Sequence, residues 1–331
     1  VTAGPFPKVT VCLLNYRGAP YLADCLEALR ALDPAPVEIV AVDNASPDGS
    51  GALLDGFARD GRSPPVRYIA AGGNLGYAAG HNRGARAASG EYLAFLNATV
   101  RPESGWLEVV RWMAAHPDVA FAQPAVFHRD DRERLESLGT ILTPSGNLWV
   151  LGRNRRETGI RPGEPPYVSE VLSVLGAAFV ARRTAFEALG GFDESMFMYF
   201  EETDLCWRGW LTGMRSVCWF DGSRPTRVFH RVHGSHPAGF DVARYFERNR
   251  TLTLYRNLER RNLWHLGPNL LTVTAEMIRR PRALARYAAE VLERLPEANR
   301  RRGEIQSGRS VPDDRLFGLR PPTDLDRRFK D

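Results

Sequence analysis

The sequence predicts an α/β protein whose mainly parallel central sheet is covered by helices on both faces. Three observations carry that expectation. Short β-branched apolar runs alternate with helix-period segments through the first 125 residues, as βαβ units require. The runs are apolar almost throughout instead of alternating, the mark of strands buried on two faces. Loops rich in Gly, Asn and Ser follow their carboxyl ends, where open α/β sheets bind ligands.

Residues 8–15 (KVTVCLLN) read as a buried strand, and 19–32 as a helix with Leu22, Leu26 and Leu29 on one face. Residues 37–43 (VEIVAVD) form a second strand, followed at 44–50 (NASPDGS) by a turn rich in helix N-cap residues. Val66–Ala70 is a third strand, 77–88 a helix of small residues and 92–96 a fourth strand. The strand-end rule then selects Asn15 with Tyr16, and residues 43–46, 72–76 and 97–101. Residues 129–166, rich in charge, Pro and Gly, read as a long excursion. Regular structure resumes over 168–182 and a short helix over 186–189, closed by Gly190 and Gly191. A helix from about 202 to 212 and a strand over Arg215–Phe220 follow. Beyond Asp241 the chain reads as mostly helical. In 283–295, Leu284, Tyr287, Val291, Leu292 and Leu295 share one side, with Pro281 suited to the first turn. Such a face packs on the main domain or lies on a membrane, and packing is the expectation.

Hydrophobic content of 44% and charged content of 25% are those of a folded, soluble-type chain. The net charge of +5 is unevenly placed. From Phe240 onward 20 Lys/Arg face 13 Asp/Glu, a balance of +7 that leaves −2 for the first 239 residues. A basic C-terminal third suits anionic lipid or an acidic substrate better than nucleic acid. Cys12, Cys25, Cys206 and Cys218 form no CxxC pair and read as reduced thiols of a cytosolic protein. The longest apolar stretch, 171–181, is too short to span a bilayer, and no signal peptide is visible. Cytoplasmic placement is expected, with peripheral contact at the inner face of the plasma membrane.

Asp43 ends a hydrophobic strand, where a carboxylate can accept a base N–H, with Asn44 and Ser46 in the same turn; an ordinary helix cap is the plainer alternative. Residues 72–76 (GGNLG) open a small-residue helix, whose N-terminus lets a diphosphate approach backbone N–H groups. The spacing is neither GxGxxG nor a Walker loop, which sets aside dinucleotide oxidoreductases and P-loop NTPases. Residues 9–18 also lack the Gly-rich basic loop of a nucleotidyltransferase. Glu201, Glu202 and Asp204 follow an aromatic stretch; three close carboxylates among apolar walls are expected to raise one another's pKa, which suits a general base for a sugar hydroxyl. The alternative is an acidic helix N-terminus stabilised by the dipole. His230, His233 and His236 make an HxxHxxH pattern without an adjacent carboxylate or Cys, a weak metal signal.

Taken together, VTVCLLNYRGAPYLADCLEAL, EIVAVDNASPDGS, AAGGNLGYAAGHNRGARAASGEYLAFLN, GAAFVARRTAFEALGGFDESMFMYFEETDLCWRGWLTGMRSV and VFHRVHGS resemble, in order, the inverting family-2 glycosyltransferases with the GT-A (nucleotide-diphospho-sugar transferase) fold. The likeness is greatest to bacterial rhamnosyltransferase-type members that build cell-surface polysaccharide, and it covers about residues 8–236. It implies that Asn15, Tyr16, Asp43, Asn44 and Ser46 surround the donor's pyrimidine and ribose. Asn74, Gly76 and Asn82 would lie beside ribose and phosphate, and Gly176 and Ala177 would line the sugar and acceptor cleft. The family's ED-x-D motif stands here as Glu201-Glu202-Thr203-Asp204, with Glu202 at the base position. His230 matches a position that helps hold a divalent ion.

One departure matters. The family's DXD-like element after the fourth strand reads Leu96-Asn97-Ala98-Thr99 here, without a carboxylate, and Mg²⁺ and Mn²⁺ prefer anionic oxygen ligands. Three readings stay open. The ion is held weakly by diphosphate, Asn97, Thr99 and His230; Arg101 or another cation replaces it; or catalysis is lost and a non-catalytic nucleotide-sugar-binding or scaffold protein remains. The expected organisation is a nucleotide-sugar-binding half over 1–125, an acceptor-binding and catalytic half over 126–240, and a basic helical extension over 241–331. The partners implied are a dTDP- or UDP-sugar donor, dTDP-rhamnose first, and a glycan or lipid-linked acceptor, with the C-terminal helices as a membrane-contact candidate and no nucleic acid.

Overall fold

The run VTVCLLN is buried at every position and forms β1 (Val9–Asn15), an interior strand of the main sheet. The structure, a computed structural model, describes residues 4–143, 147–156, 166–221, 225–232, 241–278 and 280–319. The first half follows the βαβ alternation: α1 (Ala19–Arg30), β2 (Glu38–Asp43), α2 (Ser50–Arg59), β3 (Val66–Ala70), α3 (Gly76–Ala87), β4 (Tyr92–Asn97), β5 (Val100–Pro102), α4 (Val109–Ala114) and β6 (Val119–Gln123). Leu22, Leu26 and Leu29 of α1 pack on Val11, Leu13 and Ile39 in the main core, so the helical period reads the sheet's apolar face.

The second half adds β7 (Val126–His128), β8 (Leu135–Ser137), β9 (Thr140–Leu142), β10 (Leu148–Val150), β11 (Tyr167–Val171), β12 (Ala178–Arg182), α5 (Arg183–Ala188), α6 (Glu201–Leu211), β13 (Arg215–Phe220) and β14 (Val228–His230). The eight-stranded sheet runs β11-β13-β6-β12-β4-β1-β2-β3. It is mixed: β1–β2, β1–β4, β2–β3 and β6–β13 pair in parallel, whereas β4–β12, β6–β12 and β11–β13 are antiparallel. The reversal of β12 has a functional consequence. Its first residue, Ala178, stands opposite Leu96, which brings Gly176 and Ala177 to the carboxyl end of β4, where Asn97 N–H donates to the Ala177 carbonyl at 3.1 Å.

Residues 129–166 are more than the expected excursion. β8, β9 and β10 lie there, and Leu135, Leu138, Ile141, Leu142 and Leu151 are buried in a second core. The strands are three residues each, too short for alternation to stand out against charged neighbours. A four-stranded sheet ordered β5-β14-β7-β8 joins this segment to the end of the domain.

The tail forms α7 (Val242–Asn257), α8 (Leu266–Met277), α9 (Pro281–Ser307) and α10 (Asp313–Phe317). The face foreseen in α9 packs as expected: Leu284, Tyr287 and Val291 meet Val273 of α8, while Leu292 is exposed. α7 is not a solvated basic helix. Arg248, Asn249, Arg256 and Asn257 are buried against the segment leading into α6. There Phe197, Tyr199 and Phe200 take φ of 67°, 70° and 72°, a left-handed conformation that side chains with a Cβ adopt only at a cost. The Asn249 side-chain amide holds this turn, its Nδ2 lying 2.9, 2.9 and 2.8 Å from the carbonyls of Met196, Met198 and Tyr199. Arg248 donates to the Met196 carbonyl at 2.9 Å. About two turns on, Arg256 pairs with Asp193 at 2.6 Å and Asn257 donates to Asp204 at 3.1 Å.

Asn249→Ala strands buried carbonyls of a strained turn. We expect it to lower the unfolding free energy by roughly 2–4 kcal/mol, read as a shift in urea midpoint. A loss under about 0.5 kcal/mol would show that the turn holds without the amide.

Candidate active site

The carboxyl ends of β1, β2 and β4, the N-terminus of α3 and the start of β12 meet around a cleft of about 330 Å³. Leu14, Tyr16, Asn44, Asn74, Gly76 and Asn97 line one side, with Ala98 and Thr99 following β4. Gly176, Ala177, Phe197, Met198, Glu201 and Glu202 form the other side, and His230 and Arg231 close it. Gly76 is required where it stands: φ is +79° and a Cβ would fall 2.3 Å from the Phe197 carbonyl oxygen. That approach lets the Tyr77 N–H donate to the same oxygen at 2.6 Å. Tyr77 in turn donates its hydroxyl to the Gly176 carbonyl at 2.6 Å, tying the donor-side helix to the far wall.

Most of the sequence-predicted residues come together, though not all at the surface of the cleft. Asn15, Asp43 and Ser46 form a network beneath it. Asn15 donates to the Asp43 carboxylate at 2.6 Å, and the Ser46 hydroxyl and N–H also donate to Asp43. Asn44 is on the wall; its Nδ2 donates to the Gly76 carbonyl at 2.8 Å, and its buried Oδ1 has no partner among the described residues.

Three expectations need correction. Asn82 does not reach the cleft: it is buried on the other side of α3, donating to the Phe192 carbonyl at 2.9 Å and accepting from Phe192 N–H at 3.0 Å. Asp204 does not join Glu202 at the cleft: two residues along a helix turn it about 200° from Glu202, and it pairs with Arg208 at 2.8 Å instead. Arg101 is not on the cleft wall, since its Nε binds Asp24 at 3.2 Å. His233 and His236 lie outside the described residues.

The acidic cluster therefore divides electrostatically. Burial, with the Glu202 charge beside it, pushes the Glu201 carboxyl far above the usual carboxylate range. Glu201 Oε2 has no hydrogen-bond partner among the described residues. Burial also pushes Glu202 up to about 7, against hydrogen bonds from its backbone and Thr203 that favour the charged form. Asp204 goes the other way: burial alone would raise it, but Arg208 and Arg256 hold it below the usual range. A carboxyl at the cleft that titrates near neutrality can take a proton from a hydroxyl; one held charged by two arginines is a structural anchor.

Sequence reasoning missed Tyr77, Glu136 and Arg231 as cleft residues. Glu136 is on the three-residue β8, and nothing in its neighbourhood signals it. In the structure β8 and β14 flank β7, so Glu136 meets His230, whose Nδ1 lies 2.8 Å from Glu136 Oε2. Arg231 was legible, next to His230 in VFHRVHGS; its guanidinium pairs with Asp130.

The donor set does not fit a pre-formed divalent-cation site. Asn97 and Thr99 offer neutral oxygens, Glu136 and His230 are already bonded to each other, and an arginine stands beside them. Among the described residues no three His, Cys, Asp or Glu side chains gather as a metal cluster would require.

An α/β sheet with a strand-end cleft and, in its lining, a carboxyl that titrates near neutrality can hold a nucleotide-linked substrate and accept a proton from it. Residues 9–189 match the model of "Glycosyl transferase family 2", and the chain belongs to that family. It is 27% identical over 330 residues to N-acetylglucosaminyl-diphospho-decaprenol L-rhamnosyltransferase of Mycobacterium tuberculosis, covering 90% of this chain and 98% of that protein. It is 30% identical over 207 residues to the pre-mycofactocin glycosyltransferase of the same organism, covering 62% of this chain and 40% of that one. Among solved structures, GalNAc-T7 with UDP, GalNAc and Mn²⁺ aligns with a TM-score of 0.60 at 16% identity, over 78% of this chain and 50% of that one; the likeness is one of fold.

Glu202 has a linked effect on stability. A carboxyl whose folded pKa is raised contributes stability below its unfolded pKa and loses it as pH rises through the folded value, here about 7. Glu202→Gln removes that liability. The variant is expected to melt above the parent at pH 8, with the gap closing at pH 5, in paired thermal scans; an equal gap at both pH values would place the Glu202 pKa in the ordinary range.

Proposed function

We propose that this glycosyltransferase moves a sugar, rhamnose first among the candidates, from a dTDP- or UDP-linked donor to an acceptor hydroxyl with inversion, in cell-surface polysaccharide or glycoconjugate synthesis. The observation that carries the reading is the near-neutral Glu202 carboxyl on a cleft wall opposite Asn44, Asn74 and Gly76. The M. tuberculosis relative, matched over 98% of its length, supports a polyprenyl-diphosphate-linked sugar as acceptor and rhamnose as the sugar transferred. The chain then divides into a donor half over 1–125, an acceptor and catalytic half over 126–240, and a tail that works at the cytoplasmic face of the membrane. No helix among the described residues is long and apolar enough to cross a membrane.

In this reading the base and ribose sit by Tyr16 and Asn44 above the Asn15–Asp43–Ser46 network, and the diphosphate by Asn74, Gly76 and Asn97. The acceptor hydroxyl proton passes to a Glu202 oxygen as the hydroxyl oxygen bonds to the anomeric carbon. The bond from that carbon to the diphosphate oxygen breaks on the opposite face, its electron pair leaving with the nucleoside diphosphate. Glu201 stays neutral and keeps the Glu202 charge from being doubled in a buried place. Arg231 is the cation nearest the leaving group, taking the part proposed from sequence for Arg101, and His230, oriented by Glu136, can donate to a phosphate oxygen. A divalent ion, which the GalNAc-T7 structure contains, would come with the diphosphate, because the protein's own donors do not assemble a site for it.

The rival reading, a protein that binds nucleotide sugars without turning them over, draws on the missing carboxylate after β4. Glu202→Gln separates the two. Turnover is expected to fall by about 10²-fold or more while calorimetric affinity for dTDP or UDP is retained; a parent without turnover on any pyrimidine-diphosphate sugar would favour the rival. For the enzyme, kcat/KM should rise roughly tenfold per pH unit toward about 7 and level off above it, since only ionised Glu202 accepts the proton. A flat profile between pH 5 and 8 would remove Glu202 from the base role.

The cation assignment has its own check. One pyrimidine nucleoside diphosphate should bind with similar affinity in EDTA and in Mn²⁺, and Arg231→Ala should weaken it by about tenfold. Binding that appears only with Mn²⁺ would restore a metal site at Glu136 and His230.

A further inference from the structure

The helix that sequence reasoning offered to a membrane, α9, spends its apolar face on α8. The exposed apolar surface is on α8 itself. Val273 is buried against Tyr287 of α9, and the Asn269 amide meets Thr251 of α7, which fixes the inner side of α8. The outer side carries Leu271, Thr274, Ala275 and Ile278, spaced i, i+3, i+4, i+7 along one stripe and all exposed. Leu271 is 72% exposed, Ile278 65%, Leu270 42% and Trp264, in the turn before α8, 63%.

From Leu263 to Ala275 the sequence LWHLGPNLLTVTA carries no Lys, Arg, Asp or Glu, and its single histidine is buried. Soluble surfaces normally scatter such residues singly; here four large ones occur within 15 positions, among which Glu276 is the one acidic or basic side chain apart from the buried histidine. Arginines bracket the stripe. Arg260 and Arg261 precede it, and Arg280, Arg282 and Arg286 follow, all exposed. Among the described residues Arg261 is paired, with Glu259 and Asp314.

We propose that α8 docks on an anionic lipid surface, lying in the headgroup plane with Leu271, Ile278 and Leu270 inserted and Trp264 at the interface. A twelve-residue helix is about 18 Å long, too short to cross a bilayer and suited to lying along one. Trp favours the headgroup level, and the bracketing arginines match anionic headgroups. A second copy of the chain is the poorer occupant. With both ends of the stripe basic, parallel or antiparallel pairing of two α8 helices would set arginines against arginines. The proposal extends the reading of a lipid-linked acceptor, but the vesicle binding that decides it involves neither donor nor acceptor, so either can fail alone.

The full chain is pelleted with vesicles of pure phosphatidylcholine and with vesicles containing about one-third phosphatidylglycerol, beside a Leu271→Glu/Ile278→Glu double variant. Both sites are exposed, so the variant should keep its circular dichroism, its dTDP affinity and its turnover on a water-soluble acceptor analogue. The parent is expected to bind the anionic vesicles at least about tenfold better than the neutral ones, and the double variant to lose that binding. A parent that stays in the supernatant, or a variant that pellets equally well, overturns the proposal. So does sedimentation showing a parent dimer that the double variant dissolves, which would assign the stripe to a second copy.

Discussion

The buried amide of Asn249 beneath three carbonyls of a left-handed aromatic turn is the contact on which the rest of the site depends. The turn delivers Glu201 and Glu202 to the head of α6, and it does so with Phe197, Tyr199 and Phe200 in backbone conformations that favour glycine. Such a turn persists only if its surroundings over-determine it. Asn249 and Arg248 supply polar contacts from one side; Gly76 permits the close approach of the Phe197 carbonyl from the other. A tail that could have been an appendage is thereby part of the frame of the cleft.

The same frame sorts the carboxylates. Glu201 and Glu202 face an apolar-walled cleft without a cation in contact, so desolvation governs them and protons are held to near-neutral pH. Asp204 and Asp193 face Arg256 of α7, and Arg256 together with Arg208 of α6 holds Asp204 below the usual carboxylate range. Proton exchange at Glu202 and structural anchoring at Asp204 thus point to opposite sides of one short helix. The division would fail if either side exchanged partners: an arginine at the cleft wall near Glu202 would fix it as an anion and weaken it as a base.

Much of this was legible in the sequence. Val66–Ala70 and Arg215–Phe220 end where their apolar runs end, and the strand-end rule located Tyr16, Asn44, Asn74 and Asn97 on one cleft. Other features were hidden for physical reasons. β8 is too short for a period, so Glu136 had no signal. The antiparallel course of β12, which places Gly176 and Ala177, comes from pairing and not from local propensity. Glu201-Glu202-Thr203-Asp204 is a cluster in one dimension, but 100° per residue on a helix turns Asp204 away from Glu202; its Arg208 partner at i+4 was the available clue. Polar α7 looked like a solvated surface helix because its burial is satisfied by backbone carbonyls of a distant turn.

The central claim is a single displacement at the anomeric carbon, with Glu202 taking the acceptor proton and no sugar bonded to the protein. It is tested most directly by the anomeric configuration of the first transfer product, read by proton NMR before the product can equilibrate. The account predicts a configuration opposite to that of the donor. Retention, or a sugar found covalently on Glu201 or Glu202 by mass spectrometry, would contradict it.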